Sequence, residues 1–236
     1  RMNPALQVTI IEKTGKLLSK VKVSGGGRCN VTHACFSIAD MIKKYPRGAA
    51  FLKKAFHHFF TTDTIEWFKQ RGVVLKTETD GRMFPVTVTS QTIIDCLMKE
   101  ANKYGVEILM NKEVKDLSIN AAGLWSVVCT QSIIETDYVC IASGGYPKTI
   151  QFGWLKQATH DIEEPVPSLF TFNMPGNAIT ALMGVVVENA AVKIVGTKLL
   201  EQGPLLITHW GMSGPAILKL TAWGARELAA CNWQYA

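Results

Sequence analysis

Gln7-Val8-Thr9-Ile10-Ile11-Glu12 is a run of apolar and β-branched residues that ends in a carboxylate. So short and so apolar a run fits a buried strand covered on both faces, as in a parallel sheet. Glu12 then stands at the strand's carboxyl end. In a dinucleotide-binding βαβ unit an acid in that place hydrogen-bonds a ribose, about 20 residues after a G-x-G-x-x-G loop. Only eleven residues precede Glu12. Such a loop, its strand and most of its helix are therefore expected upstream of Arg1, with Arg1 to Ala5 as the tail of the crossover helix. The fold class that follows is α/β.

Downstream of the strand comes Ser24-Gly25-Gly26-Gly27-Arg28-Cys29-Asn30. Glycine tolerates positive φ and has no Cβ, so successive N–H groups can converge on a phosphate or a ring edge, and Arg28 adds a planar set of donors. A tight structural turn is the competing reading. Lys16, Lys20, Lys22 and Arg28 make the main local excess of positive charge, which suits a nucleotide phosphate, a nucleic acid or simply a solvated basic face.

The bulk numbers set limits. At 236 residues and 47% hydrophobic content the chain can bury one substantial core or two modest ones. No apolar run approaches the ~18 residues that span a bilayer, and no signal-peptide pattern opens the sequence, so a cytoplasmic location is expected. Cys29, Cys35, Cys96, Cys129, Cys140 and Cys231 include no C-x-x-C pair. Disulfides and metal ligation are not expected. The formal net charge of +6 attracts anions, but basic and acidic residues are mixed along the chain. No interleaved basic and aromatic stripe stands out, and nucleic acid is not the expected partner.

Pro46 and Gly48 precede a helical pattern in which Phe51, Leu52, Ala55, Phe56, Phe59 and Phe60 recur, read as core packing. His57 and His58 are adjacent, do not share a helix face and make no metal site. Asp63 with Glu66 resembles a capping box for a helix that runs to Arg71 and closes at Gly72. A strand over Val73–Lys76, a turn at Asp80-Gly81, an amphipathic helix from Ser90 to Tyr104 and a strand over Val106–Met110 follow. Then comes a β meander near Val114–Ile119, Leu124–Thr130 and Ile133–Ala142. Its last strand feeds the small residues Ala142-Ser143-Gly144-Gly145 and Tyr146-Pro147. From Pro165 onward prolines bracket short apolar runs at Leu169–Asn173, Gly184–Glu188, Ala191–Val195 and Leu205–Thr208, a mainly β unit. Ser213-Gly214-Pro215 opens a last helix through about Leu228.

Five elements in order, Ile11-Glu12-Lys13, Val23-Ser24-Gly25-Gly26-Gly27-Arg28-Cys29-Asn30-Val31-Thr32, Gly81-Arg82-Met83-Phe84-Pro85, Ser143-Gly144-Gly145-Tyr146-Pro147 and Thr208-His209-Trp210-Gly211-Met212-Ser213-Gly214-Pro215, resemble the BaiN/YhiN-like flavoproteins. The resemblance runs through the whole sequence. It implies a partial FAD-binding, Rossmann-like domain of the glutathione-reductase type over residues 1–164, and part of an inserted β-rich domain over residues 165–236. It further implies that the family's glycine loop and C-terminal segment lie outside the sequence, which is then truncated at both ends. Lys148-Thr149-Ile150 departs from the Gly-Ser-rich continuation many members carry.

Carried over by position, Glu12 would bind the adenosine ribose with Lys13 and Lys20 nearby, and Ser24, Gly25, Gly26, Gly27, Arg28, Cys29 and Asn30 would lie along pyrophosphate and flavin ring. Val114 would meet adenine through its backbone, and Ala142, Ser143, Gly144 and Gly145 would pack against the cofactor. The implied activity is FAD-dependent oxidoreduction: hydride passes from NAD(P)H through flavin to an unsaturated small-molecule acceptor. Cys29 and Tyr146 are candidate proton donors, set against a packing role for Cys29 and a turn-closing role for Tyr146. His209 is either a substrate-cleft residue or a structural histidine. Two other classes stay open, a cofactor-free interaction module and a nucleic-acid binder through Lys16–Arg28.

Overall fold

The computed structural model describes residues 5–146, 148–158 and 160–234. The crossover-helix tail expected over Arg1–Ala5 therefore lies, but for Ala5, outside the described residues, as does Pro147 of the Ser-Gly-Gly-Tyr-Pro element. Two compact units form, Arg1–Tyr146 with Ile150–Ile162, and Pro147–Thr149 with Glu163–Ala236.

The first unit begins with β1 (Thr9–Ile11), α1 (Ser19–Gly27), β2 (Thr32–His33), the helices α2 (Ile38–Ile42), α3 (Ala49–Phe56) and α4 (Thr61–Lys69), and the strands β3 (Leu75–Thr77) and β4 (Arg82–Pro85). It continues through α5 (Ser90–Lys103), β5 (Glu107–Leu109), β6 (Val114–Ile119), β7 (Trp125–Cys129), β8 (Ser132–Thr136) and α6 (Gly153–Gln157). β1 pairs in parallel with β5, Thr9 opposite Glu107 and Ile11 opposite Leu109. The α/β expectation holds in that parallel pair, and antiparallel sheets β2-β4-β3 and β6-β7-β8 stand beside it.

α5 connects local sequence to packing most directly. Thr89 caps it by accepting from the Gln91 N–H at 3.3 Å, and Gly105, at φ +65°, ends it. Its inward residues Ile93 and Cys96 join Cys29, Phe68 and Val73 in one buried cluster. Burying an Ile side chain of this kind contributes ~1.5–3 kcal/mol. In the meander, Leu117, Val127 and Cys129 point into a second cluster, with Asn120 Oδ1 accepting from the Ala122 and Leu124 N–H groups at the β6–β7 turn. That is the alternation expected of a sheet with one covered face.

Several expectations are corrected. β1 is parallel but not buried, for Ile10 is 44% exposed: β1 has a partner on one edge only, and the two-stranded sheet is too small to be covered on both faces. The third meander strand stops at Thr136, and Ile141 through Gly145 are exposed without regular structure. No strand among the described residues pairs with that segment, so its backbone has no ladder to join. The aromatic stripe of α3 is only half core, since Leu52 and Phe56 turn inward while Phe51 and Phe59 are exposed. Finally, Asp63 is not the cap of α4 but its third residue, reaching back to accept the Phe60 N–H at 2.7 Å.

The second unit holds β9 (Phe172–Asn173), β10 (Val186–Lys193), β11 (Leu200–Thr208), β12 (Gly211–Ser213), α7 (Pro215–Trp223) and α8 (Ala225–Ala230). Its antiparallel sheet has the order β10-β11-β12-β9. Ile217, Leu220 and Leu228 from the helices pack on Phe172, Ile194, Leu205 and Ile207. The single last helix expected from Ser213 is two, broken at Gly224, where a Cβ would come within 2.4 Å of Leu199 Cδ1. Leu199 fills the space that a side chain would need.

Candidate functional site

β1 delivers Glu12 and Lys13 at its carboxyl end. The Glu12 N–H donates to Leu109 O at 2.9 Å and its carbonyl accepts the Lys112 N–H at 3.0 Å, so the parallel pairing continues one residue past the strand. Its carboxylate turns onto the following loop, where Oε1 accepts from both the N–H and the Oγ1–H of Thr14 at 2.8 Å.

Next to it, Lys13 Nζ lies 2.7 Å from Glu113 Oε1, and Lys115 Nζ contacts Glu113 Oε2. Bonds from Lys115 and Lys13 hold the Glu113 carboxyl at a pKa of about 2, and the bond to Glu113 raises Lys13 above its ordinary value. Val114, at the head of β6, is placed by the same contacts. Tyr146 is close enough to contribute to the Lys13 field, and its ring meets Phe152 edge to face at 5.0 Å.

Lys20, in the first turn of α1, extends toward the exposed Ala142–Gly145 segment; a Cβ on Gly144 would lie 3.6 Å from its Nζ. Thus Glu12, Lys13, Lys20, Val114, Gly144 and Tyr146 converge around the end of β1, drawn from four separate stretches of sequence. Ala142, Ser143, Gly144 and Gly145 present open backbone there, with Gly144 at φ +76°. The chemistry on offer is one carboxylate, cations and unencumbered N–H groups. It suits a ligand that carries hydroxyls and anionic oxygens.

The Ser24–Asn30 segment begins inside α1, whose helix is interrupted by non-helical backbone at Ser24, Gly25 and Gly26, and it is tied down by its own interior. Ser24 O accepts the N–H groups of Arg28 and Cys29. Gly25, at φ +57°, would place a Cβ 2.8 Å from Phe84 Cε1 and 2.9 Å from Asn30 N. That glycine is therefore demanded by packing. Gly26 has nothing within 4 Å in the same direction and is exposed, so its backbone is the one open to a partner. Arg28 lies with its guanidinium carbon 4.1 Å from the centre of the fully buried Phe84 ring, and Nη1 donates to Glu78 Oε1 at 2.6 Å. Cys29 is buried, and desolvation pushes its thiol pKa up, a packing position rather than one open to solvent. Asn30 is exposed.

Two residues that hold these features in place have no signature in the sequence. Glu78 anchors Arg28, and Glu113 anchors Lys13 and Lys115; single half-buried acids give no linear signal. Phe84 belongs to the Gly81–Pro85 motif, which carries no hint that its ring floors the glycine loop. In the second unit, Gly211 and Gly214 allow backbone approach, for their Cβ atoms would stand 2.3 Å from Phe172 O and 2.8 Å from Leu206 N. His209 packs edge to face on Trp210 at 4.4 Å, and Trp210 Nε1 donates to Thr171 Oγ1 at 3.3 Å. The Thr-His element is thus a close-packed turn between β11 and β12. Among the described residues no helix is long and apolar enough to cross a membrane.

A parallel strand ending in an acid, with open glycine backbone beside its end, defines a Rossmann-like class of fold. The chain belongs to the family described as HI0933-like protein Rossmann domain, whose pattern matches residues 2–217, the flavoprotein family expected from its motifs. It is 27% identical over 226 residues to a ribosomal RNA dihydrouridine synthase of Haemophilus influenzae, covering 91% of this chain and 55% of the relative. A protein of the same description from Escherichia coli is 28% identical over 239 residues, covering 96% of this chain and 57% of the relative. A 3-dehydro-bile acid delta(4,6)-reductase of Clostridium scindens is 23% identical over 230 residues, covering 94% and 55%. The chain spans about half the length of these curated relatives.

Proposed function

We propose that the chain is the FAD-holding part of an oxidoreductase that reduces a carbon–carbon double bond at the expense of NAD(P)H. One observation carries the reading: the end of β1, the Glu113–Val114 strand head, Lys20 and the open Ala142–Gly145 backbone come together in a member of this family. Glu12 would hold the ribose hydroxyls, exchanging its bond from Thr14 for bonds from the sugar. Lys20 and the N–H groups of Ser143 to Gly145 would face anionic oxygens, and the backbone of Val114 would meet the adenine edge. Gly26 would offer the flat side of the loop. The chemistry supplied by bound FAD is hydride exchange.

Both kinds of relative carry names that imply two hydrogens added to an unsaturated substrate, one in a nucleoside of RNA and one in a steroid. In that balance a hydride from NAD(P)H and a proton end on the two carbons of the double bond, leaving NAD(P)+. Cys29, buried beneath the loop, is poorly placed to supply the proton; Tyr146, half-buried beside Lys13, is the better of the two candidates.

Titration with FAD, followed by quenching of flavin fluorescence, tests the reading. Saturable binding is expected, and Glu12→Ala is expected to weaken it by about tenfold, the worth of a hydrogen bond to a charged group. If the chain does not retain FAD, or if Glu12→Ala binds like the parent, the assignment is wrong.

A further inference from the structure

The helical hairpin made by α2 and α3 is the most unusual surface of the first unit. α2 and α3 pack on each other, with Tyr45 on Phe56 at 6.0 Å and Phe56 on Phe60 at 5.2 Å between ring centres. The rings that remain outside are Phe36 at 60% exposure, Phe51 at 76% and Phe59 at 53%. Around them stand Lys43, Lys44, Arg47, Lys53 and Lys54, all exposed, against a single acid, Asp40, which binds Lys43 at 2.7 Å. Lys54 and Ala55 stand three and four residues after Phe51, so ring and cation share the outer face of α3. A core-facing helix would not put its phenylalanine there and its lysines beside it.

We infer that this hairpin, residues 36–59, is a docking surface for single-stranded RNA. Exposed rings are stacking platforms for unpaired bases, and cations beside them follow the phosphates. The charge is complementary to a polyanion, and the apolar groups are planar rather than aliphatic, which favours bases over lipid chains. The inference rests on the reductase reading with RNA as the acceptor, and it places the RNA contact on a surface separate from Glu12, Lys20 and Gly144. In the linear sequence these aromatics read as core residues, which hides the interleaving of Lys43 through Phe60.

The test is fluorescence anisotropy of this chain with a labelled, uridine-rich RNA of about 20 nucleotides, at several salt concentrations. Phe51→Ala and Phe59→Ala are each expected to weaken binding by roughly 5- to 150-fold, the worth of a stacked base, with thermal unfolding unchanged because both rings are exposed. The double variant Lys53→Glu/Lys54→Glu is expected to flatten the slope of log affinity against log salt by about 1.4, at ~0.7 for each phosphate no longer neutralised. Absence of RNA binding, variants that bind as the parent does, or preferential binding to phosphatidylserine vesicles would each overturn the inference. FAD titration of the same samples separates the two proposals. FAD retained with RNA binding indifferent to the hairpin variants sinks only the docking surface; hairpin-dependent RNA binding without FAD sinks only the reductase.

Discussion

Gly25, Gly26 and Gly27 look equivalent in the sequence, and the fold makes them unequal. Gly25 has a positive φ and a space closed by the Phe84 ring and the Asn30 amide, whereas Gly26 has a positive φ and open surroundings. An alanine at Gly26 meets only the left-handed backbone cost, ~1–2 kcal/mol. An alanine at Gly25 meets that cost together with a clash against a fully buried ring, which adds ~1–3 kcal/mol of overpacking. Chemical denaturation of Gly25→Ala and Gly26→Ala should therefore rank Gly25→Ala as the less stable variant. Equal stabilities would mean that Phe84 does not floor the loop. Arg28 follows the same logic, for its ion pair with Glu78 and its contact with Phe84 make it a brace for the loop before any ligand arrives.

At the scale of elements, the junction of β1 with β6 is held by a charged clasp, Lys13 and Lys115 on the two oxygens of Glu113. The Glu113 pKa is depressed from the ordinary 4.5 to about 2, so the clasp stabilises the fold above pH 4.5 and that contribution is lost as pH falls from 4.5 through 2. Glu113→Gln should therefore lower stability at neutral pH, by a small amount because all three groups are solvated, and leave it unchanged near pH 2, which flattens the acid side of the stability profile. Carboxyl NMR checks it directly; a Glu113 signal titrating near its ordinary value would contradict the clasp. None of this was legible in sequence, because the three residues speak only through proximity. The elements with strong periodicity were legible: α5, the first two meander strands and the Gly72 and Gly105 stops are where spacing and glycine put them, whereas the third meander strand ends at Thr136, short of its expected reach. Misreadings came where a segment's neighbours decide its state. Ile141 to Gly145 carries a buried strand's composition yet lies exposed without a partner, and α3 carries a core helix's composition yet shows Phe51 to solvent. Composition predicts what a segment would do if covered, and only the fold says whether it is covered. Of the candidate site, Glu12 and the two glycine segments were readable as motifs, and Lys20 and Val114 came only with the family resemblance; the reach of Lys20 to Gly144 and the Glu113 clasp beside Val114 are seen only in the fold.

Across the whole molecule, the buried clusters of the two units share no residue. Cys29, Phe68, Val73, Ile93 and Cys96 serve the first, and Phe172, Ile194, Leu205, Ile207, Ile217, Leu220 and Leu228 serve the second. Separate cores in one chain do not require a single cooperative transition. Thr221 shows how the second unit is locked internally, for its hydroxyl accepts the Phe170 N–H and lies 3.1 Å from Phe170 O as well, entirely out of solvent. Ile217→Ala opens a cavity among fully buried neighbours and should cost ~2–5 kcal/mol; Thr221→Val orphans the Phe170 N–H and should cost ~1–3 kcal/mol. Hydrogen exchange resolves where those losses fall. Protection should drop in the amides of β11 and α7 by the full amount while the amides of α5 keep theirs. A parallel loss in α5 would show instead that the chain unfolds as one unit, and that damage to the β-rich half reaches the Rossmann-like half as well.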